Sequence, residues 1–164
     1  MRVAIHGRYF SKKKRRLLRD LARWTGKKLL GTKLDKQIDL TINIVGPDMF
    51  KNEGTYGWCE IEDYAGPYAR GFNITITSKF ETMRSLMILA HELVHLKQYA
   101  KGELRHCTDG CLRWNGTGTI DDGKVPYWDL PWEIEAHGRE KGLVYQWAAA
   151  RGHDKNSDWF RLVF

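Results

Sequence analysis

The order of periodicities along the chain predicts an α+β domain. A small antiparallel or mixed sheet of about three to four strands should pack with an N-terminal helix, a central helix and a glutamate-bearing C-terminal helix. Three observations carry this. A basic amphipathic stretch opens the chain and stops at Gly31. Three short segments then alternate apolar and polar residues. Two longer helical stretches follow, one around residues 81–101 and one around 131–151.

Ser11 is a fit N-cap for the first helix, which should run to about Leu30 and close at Gly31. Leu18, Leu21, Ala22, Thr25 and Leu29 make its apolar face, with Leu17 and Trp24 beside it and Lys/Arg on the outer side. Residues 39–45 alternate cleanly and end at Gly46-Pro47; residues 57–63 alternate less strictly, and residues 71–77 do so cleanly again. The turn chemistry of residues 64–70, with Gly66 and Pro67, pairs the last two strands as antiparallel neighbours.

The central helix should begin between Ser78 and Glu81 and stop at Gly102. Residues 103–130 are Gly-rich and irregular, with room for one short hairpin. Asp129 or Leu130 then leads into Pro131, a favoured first helical residue, and the last helix should reach about Arg151 before Gly152. Trp159, Phe160, Leu162, Val163 and Phe164 give the tail enough apolar surface to be expected to pack.

The length of 164 residues fits one domain, 1–164, with a real core and a basic helical segment, 11–30, at its start. There is no run of 18 apolar residues, and the basic N-terminus lacks the apolar stretch of a secretory signal. The three cysteines (Cys59, Cys107, Cys111) suit a reducing, cytoplasmic setting better than a disulfide framework. Cys107 and Cys111, with His106 beside them, could hold a second metal or be ordinary thiols; no clear fourth ligand is present. Charge is uneven. Residues 2–36 hold thirteen Lys/Arg against two Asp, so the net charge of +7 belongs to that segment. Its part 12–28 is equally a footprint for nucleic acid or another polyanion and a solvated helix face.

The most informative motif is His91-Glu92-Leu93-Val94-His95, set in the apolar run from Ser85 to Tyr99. On a helix, His91 and His95 share a face and can aim ring nitrogens at one point, a spacing that suits Zn²⁺. Glu92 lies beside them, placed to take a proton from water rather than to bind the metal. The plain alternative is two core histidines satisfied by hydrogen bonds. Catalytic zinc usually takes three protein ligands. The pattern H-E-x-x-H-x-x-G-x-x-H is broken by Gln98 and Lys101, which excludes a metzincin.

Two positions remain for the third ligand. The helix Glu133-Ile134-Glu135-Ala136-His137, taken with His91-Glu92-Leu93-Val94-His95, resembles the gluzincin metallopeptidases, and the short chain is similar to minimal, phage-type members of that group. The resemblance covers roughly residues 39–150, through two short motifs. It implies Glu133 as third zinc ligand and the residue four further on, His137, as hydrogen-bond partner of a zinc-bound histidine; that position is usually Asp or Asn. Glu135 is the fallback ligand. The other position is His106, which, with Arg105, Arg113 and Trp114, faintly resembles the SprT-like proteases that act on DNA-linked proteins.

The expected chemistry is zinc-dependent hydrolysis of a peptide bond, with Glu92 as general base and then acid. Cytosol, such as that of a phage-infected cell, is the expected setting. Tyr127, Tyr145 and His153 are candidate oxyanion donors by residue type. Residues 71–77 are the strand expected to offer a sheet edge to an extended substrate. The competing readings are the SprT-like protease and a non-enzymatic nucleic-acid-binding protein with a structural metal. Oligomeric state is not legible.

Overall fold

The computed structural model describes residues 1–51, 54–65, 67–107 and 111–152. It is α+β. Along the chain come β1 (Arg2–His6), α1 (Lys12–Asp35), β2 (Asp39–Val45), β3 (Gly57–Ala65), β4 (Tyr68–Thr77), α2 (Thr82–Lys101), three short strands β5 (Leu104–His106), β6 (Leu112–Trp114) and β7 (Thr119–Ile120), and α3 (Pro131–Ala150).

The main sheet is mixed, in the order β1-β2-β4-β3. β1 runs parallel to β2, β2 parallel to β4, and β3 antiparallel to β4. The segments 39–45, 57–63 and 71–77 all become strands, and the last two form the expected antiparallel pair. Two corrections follow. β1 is an additional strand: Val3 and Ile5 pack against the core, while Arg2, Ala4 and His6 face out. Residues 71–77 are not an edge, because β4 sits between β2 and β3; the edge strands are β1 and β3.

One face of the sheet makes the core. Leu40, Ile42 and Ile44 on β2, with Phe72, Ile74 and Ile76 on β4, alternate onto it and meet the helices. The other face carries polar residues, including Asn43, whose amide donates to Asn73 (2.7 Å).

α1 buries Leu18, Leu21, Ala22, Thr25 and Leu29, the expected face, together with Lys14, whose ammonium donates to the Phe80 carbonyl (2.7 Å). Ser11 caps it through Lys14 N–H. Helical geometry breaks at Gly31 (φ 75°, ψ 164°), a left-handed φ that favours glycine, and a last turn reaches Asp35.

α2 is buried over almost its whole length, which its apolar sequence requires. Glu81 caps it by accepting from Met83 and Arg84 N–H, and Gly102 closes it in the left-handed conformation. The expected hairpin in residues 103–130 is a three-stranded antiparallel sheet, β5-β6-β7, over a small second core of Leu104, Leu112, Leu130 and Trp132. The 3-10 turn Tyr127–Asp129 precedes α3; Leu130 takes the N-cap position without a side-chain cap, and Pro131 opens the helix.

α2 and α3 pack antiparallel. His91 meets Glu140, whereas Lys97 and Gln98, further along α2, meet Glu135 and Trp132. No helix among the described residues is long and apolar enough to cross a membrane. The tail from His153 to Phe164 lies outside the described residues.

Candidate metal centre

Residues four apart on a helix are neighbours, so α2 sets His91 and His95 side by side, with Nε2 atoms 3.1 Å apart. α3, crossing antiparallel, brings the Glu133 carboxylate between them. Its Oε2 is 3.3 Å from His91 Nε2, and its Oε1 is 3.4 Å from His95 Nε2. Three donors at the corners of a tetrahedron with bonds of about 2.0–2.1 Å stand about 3.3 Å apart. All three side chains are buried.

His137 also approaches: ligand atoms of His91, Glu133 and His137 all lie within 4.8 Å of one another, a group that could hold a metal ion. Its looser span sets it behind His95. His137 Nε2 is 3.2 Å from the Tyr127 hydroxyl, and Nδ1 is 3.4 Å from Glu140 Oε2.

The groups behind the imidazoles differ from expectation. Glu140, not His137, accepts from His91 Nδ1–H (2.9 Å), and Gln98 Oε1 accepts from His95 Nδ1–H (2.9 Å). His137 instead packs its ring on that of His91, with centroids 4.4 Å apart. Glu135, the fallback ligand, is committed elsewhere, to Lys97 (2.6 Å), Arg139 (2.8 Å) and the Gln98 amide (3.1 Å). His106 is exposed on β5, stacked on Tyr99 (5.6 Å), and is not part of the cluster. Cys107 N–H donates to the Cys111 carbonyl; among the described residues no ligand cluster forms there.

The electrostatics favour a cation. Burial opposes charge on His91, but hydrogen bonds to Glu133 and Glu140 and the field of Glu92 push its pKa up to about 10. His95 moves in the same direction: burial opposes it, and Glu133 and Glu92 outweigh burial. Burial likewise works against the Glu133 carboxylate, yet the two imidazoles and the Tyr127 hydroxyl hold it well below the usual carboxylate range. Three carboxylates around two imidazoles make a pocket that demands positive charge, and the donor set of two nitrogens and one oxygen fits zinc.

Glu92, 5 % exposed, accepts no hydrogen bond from the described residues, and burial raises its pKa against the fields of His95 and His91. Its carboxylate faces a cleft. One side is a cavity of about 520 Å³, with Tyr56, Met87, Ile88 and Trp128 among its walls; the other is about 260 Å³, walled by Trp58, Cys59, Tyr99 and Trp132. Gly57, His91, Glu92 and Tyr127 line both. Of the three candidate donors, Tyr127 is the one in the cleft. Its hydroxyl donates to Glu133 Oε2 (2.6 Å), and burial followed by Glu133 pushes its pKa up, so it keeps its proton. Tyr145 lines neither cavity, and His153 lies outside the described residues.

Gly57, at the start of edge strand β3, passes close to the motif helix. A Cβ there would meet Glu92 Oε1 and Ile88 Cγ2, each at 2.9 Å. Gly57→Ala is expected to shift the Glu92 carboxylate and cost about 1 kcal/mol of stability. A denaturant melt checks this; unchanged stability would show that Glu92 and Ile88 have slack.

Gly57, Gln98 and Glu140 were missed by the sequence reading. Glu140 had one signal, its i+7 spacing from Glu133, which places both on one face of α3.

No known family model, curated protein or solved structure matches the chain.

Proposed function

We propose that this chain is a zinc-dependent metallopeptidase of the minimal gluzincin kind. One observation carries the reading: His91 Nε2, His95 Nε2 and the Glu133 carboxylate stand 3.1–3.4 Å apart, the spacing a tetrahedral ion imposes. The Glu92 carboxylate, spared from hydrogen bonding, supports hydrolysis over a purely structural site.

His91, His95 and Glu133 would hold the ion. When bound, zinc supplies Lewis-acid polarisation of a carbonyl and brings the pKa of water toward neutrality. Glu92 takes a proton from the attacking water; its raised pKa brings it nearer a working pH. It then passes that proton to the leaving amine. The Tyr127 hydroxyl swings its hydrogen bond from Glu133 to the oxygen on which charge develops. Glu140 and Gln98 hold the two imidazole rings in orientation. An extended peptide fits beside β3, whose outer edge borders both cavities through Gly57, and its side chains enter the pockets on either side.

The test is metal dependence. Purified protein should carry about one zinc per chain, and zinc at about 100 times its Kd should add about 2.7 kcal/mol to stability. For a chain of this size that raises Tm by about 5–10 °C. Casein cleavage should stop with 1,10-phenanthroline and return with added zinc. Protein that binds no zinc, or cleavage indifferent to the chelator, would overturn the reading.

A further inference from the structure

A separate concavity lies between α1 and α3. It encloses about 520 Å³, is walled by Arg16, Arg19, Asp20, Arg23, Trp147 and Arg151 with Leu17 between them, and shares no residue with the metal cleft. Arg16, Arg19 and Arg23 follow i, i+3, i+7 spacing, so they line one face of α1 over about 10 Å. Asp20 is the one carboxylate in the wall. Arg151 already grips it at two points (2.7 and 2.9 Å), and Trp147 Nε1–H donates to it (2.9 Å). Among the described residues Arg16 and Arg19 make no ion pair, and Arg23 contributes only its field to Asp20. Four guanidinium groups therefore share one carboxylate around a concave surface.

Guanidinium forks match phosphate oxygens two at a time, which lysines do not. The wall shows what sort of phosphate. Among the described residues the one aliphatic side chain in the wall, Leu17, is half-buried against the core, and none of the large exposed apolar side chains borders the cavity, so the described wall offers no wedge for a lipid surface. Trp147 is 1 % exposed and forms floor rather than a stacking platform, so bases are not read. We propose that this cavity binds the phosphodiester backbone of a nucleic acid, without regard to sequence. The proposal stands independently of the metal centre.

Fluorescence anisotropy with labelled oligonucleotides of about twenty nucleotides, one oligo-dT and one of mixed sequence, tests it between about 50 and 200 mM salt. The whole chain is expected to bind both with similar affinity, weakening steeply with salt. Arg16→Gln/Arg19→Gln/Arg23→Gln should lose at least about tenfold in affinity and about 2 from the log–log salt slope, the share of three single-strand phosphate contacts. Lys27→Gln/Lys28→Gln/Lys33→Gln removes equal charge from exposed positions of the same helix and should stay within about threefold. Should the arginine triple fail to fold, Arg16→Gln alone, at an exposed site, is expected to weaken binding about threefold. Equal losses in the two triples, no binding by the unaltered chain at the lower salt, or binding to phosphatidylserine vesicles without binding to oligonucleotides would each overturn the proposal.

Discussion

Glu92→Gln is expected to lower peptide hydrolysis by about 10²–10⁴-fold while leaving bound zinc unchanged. The substitution keeps the side chain's shape and removes only its ability to take a proton. Glu92 has no structural hydrogen bond to lose among the described residues, and it touches none of the three donor atoms as a ligand. The protein should therefore stay folded. Burial already disfavours the Glu92 carboxylate against the fields of His95 and His91, so a neutral amide in its place should leave stability unchanged or raise it. Zinc content by elemental analysis, beside turnover of casein, separates the outcomes. Full activity with zinc in place would move the protein to the class of structural metal sites.

The second large effect is on the metal itself. Glu133→Ala is expected to weaken zinc binding by more than about 100-fold, because it removes one of three donors. It also strips His91 and His95 of their shared carboxylate and Tyr127 of its acceptor, which should cost about 1–3 kcal/mol in the metal-free chain. Glu140→Ala, which removes the brace behind His91 and the carboxylate beside His137 Nδ1, should weaken zinc by about 10–100-fold. Glu135→Ala should loosen Lys97 and Arg139 but leave zinc affinity nearly unchanged, because the Trp132 carbonyl still holds the Gln98 amide that orients His95. The order Glu133, Glu140, Glu135 is the discriminating result, read by competition with a zinc-sensitive dye. Zinc lost from Glu135→Ala and kept by Glu133→Ala would reverse the ligand assignment.

Much of the fold was legible because it rests on local chemistry. The apolar run of α2, stopped by Gly102, and the alternation of β2 and β4 each dictate one conformation regardless of the rest. β1 escaped because Arg2–His6 gives only two inward residues, too few for a period to stand out. β5, β6 and β7 are two or three residues long and exist through their pairing, which no local pattern encodes. Strand order is likewise non-local: the return of α1 sets β1 beside β2, and that sheet order makes β4 interior and leaves β1 and β3 as the edges.

The site divides the same way. The spacing within α2 was enough to pair His91 with His95. The partner of His91 depended on how α3 crosses α2, and an antiparallel crossing brings the earlier histidine to the later glutamate, Glu140, two turns beyond Glu133.

Gln98 has one more consequence. Its Nε2 donates to the Trp132 carbonyl, which can only accept, so the amide cannot be turned round. Its oxygen must then face His95 and fixes the proton on Nδ1, as the Glu140 carboxylate does for His91. Both rings thereby keep a proton on Nδ1 and aim Nε2 inward, so capturing an ion needs only the loss of the Nε2 proton that the raised pKa leaves on His91. Metal capture should need little rearrangement, so a vacant chain should reload quickly rather than refold around its ion.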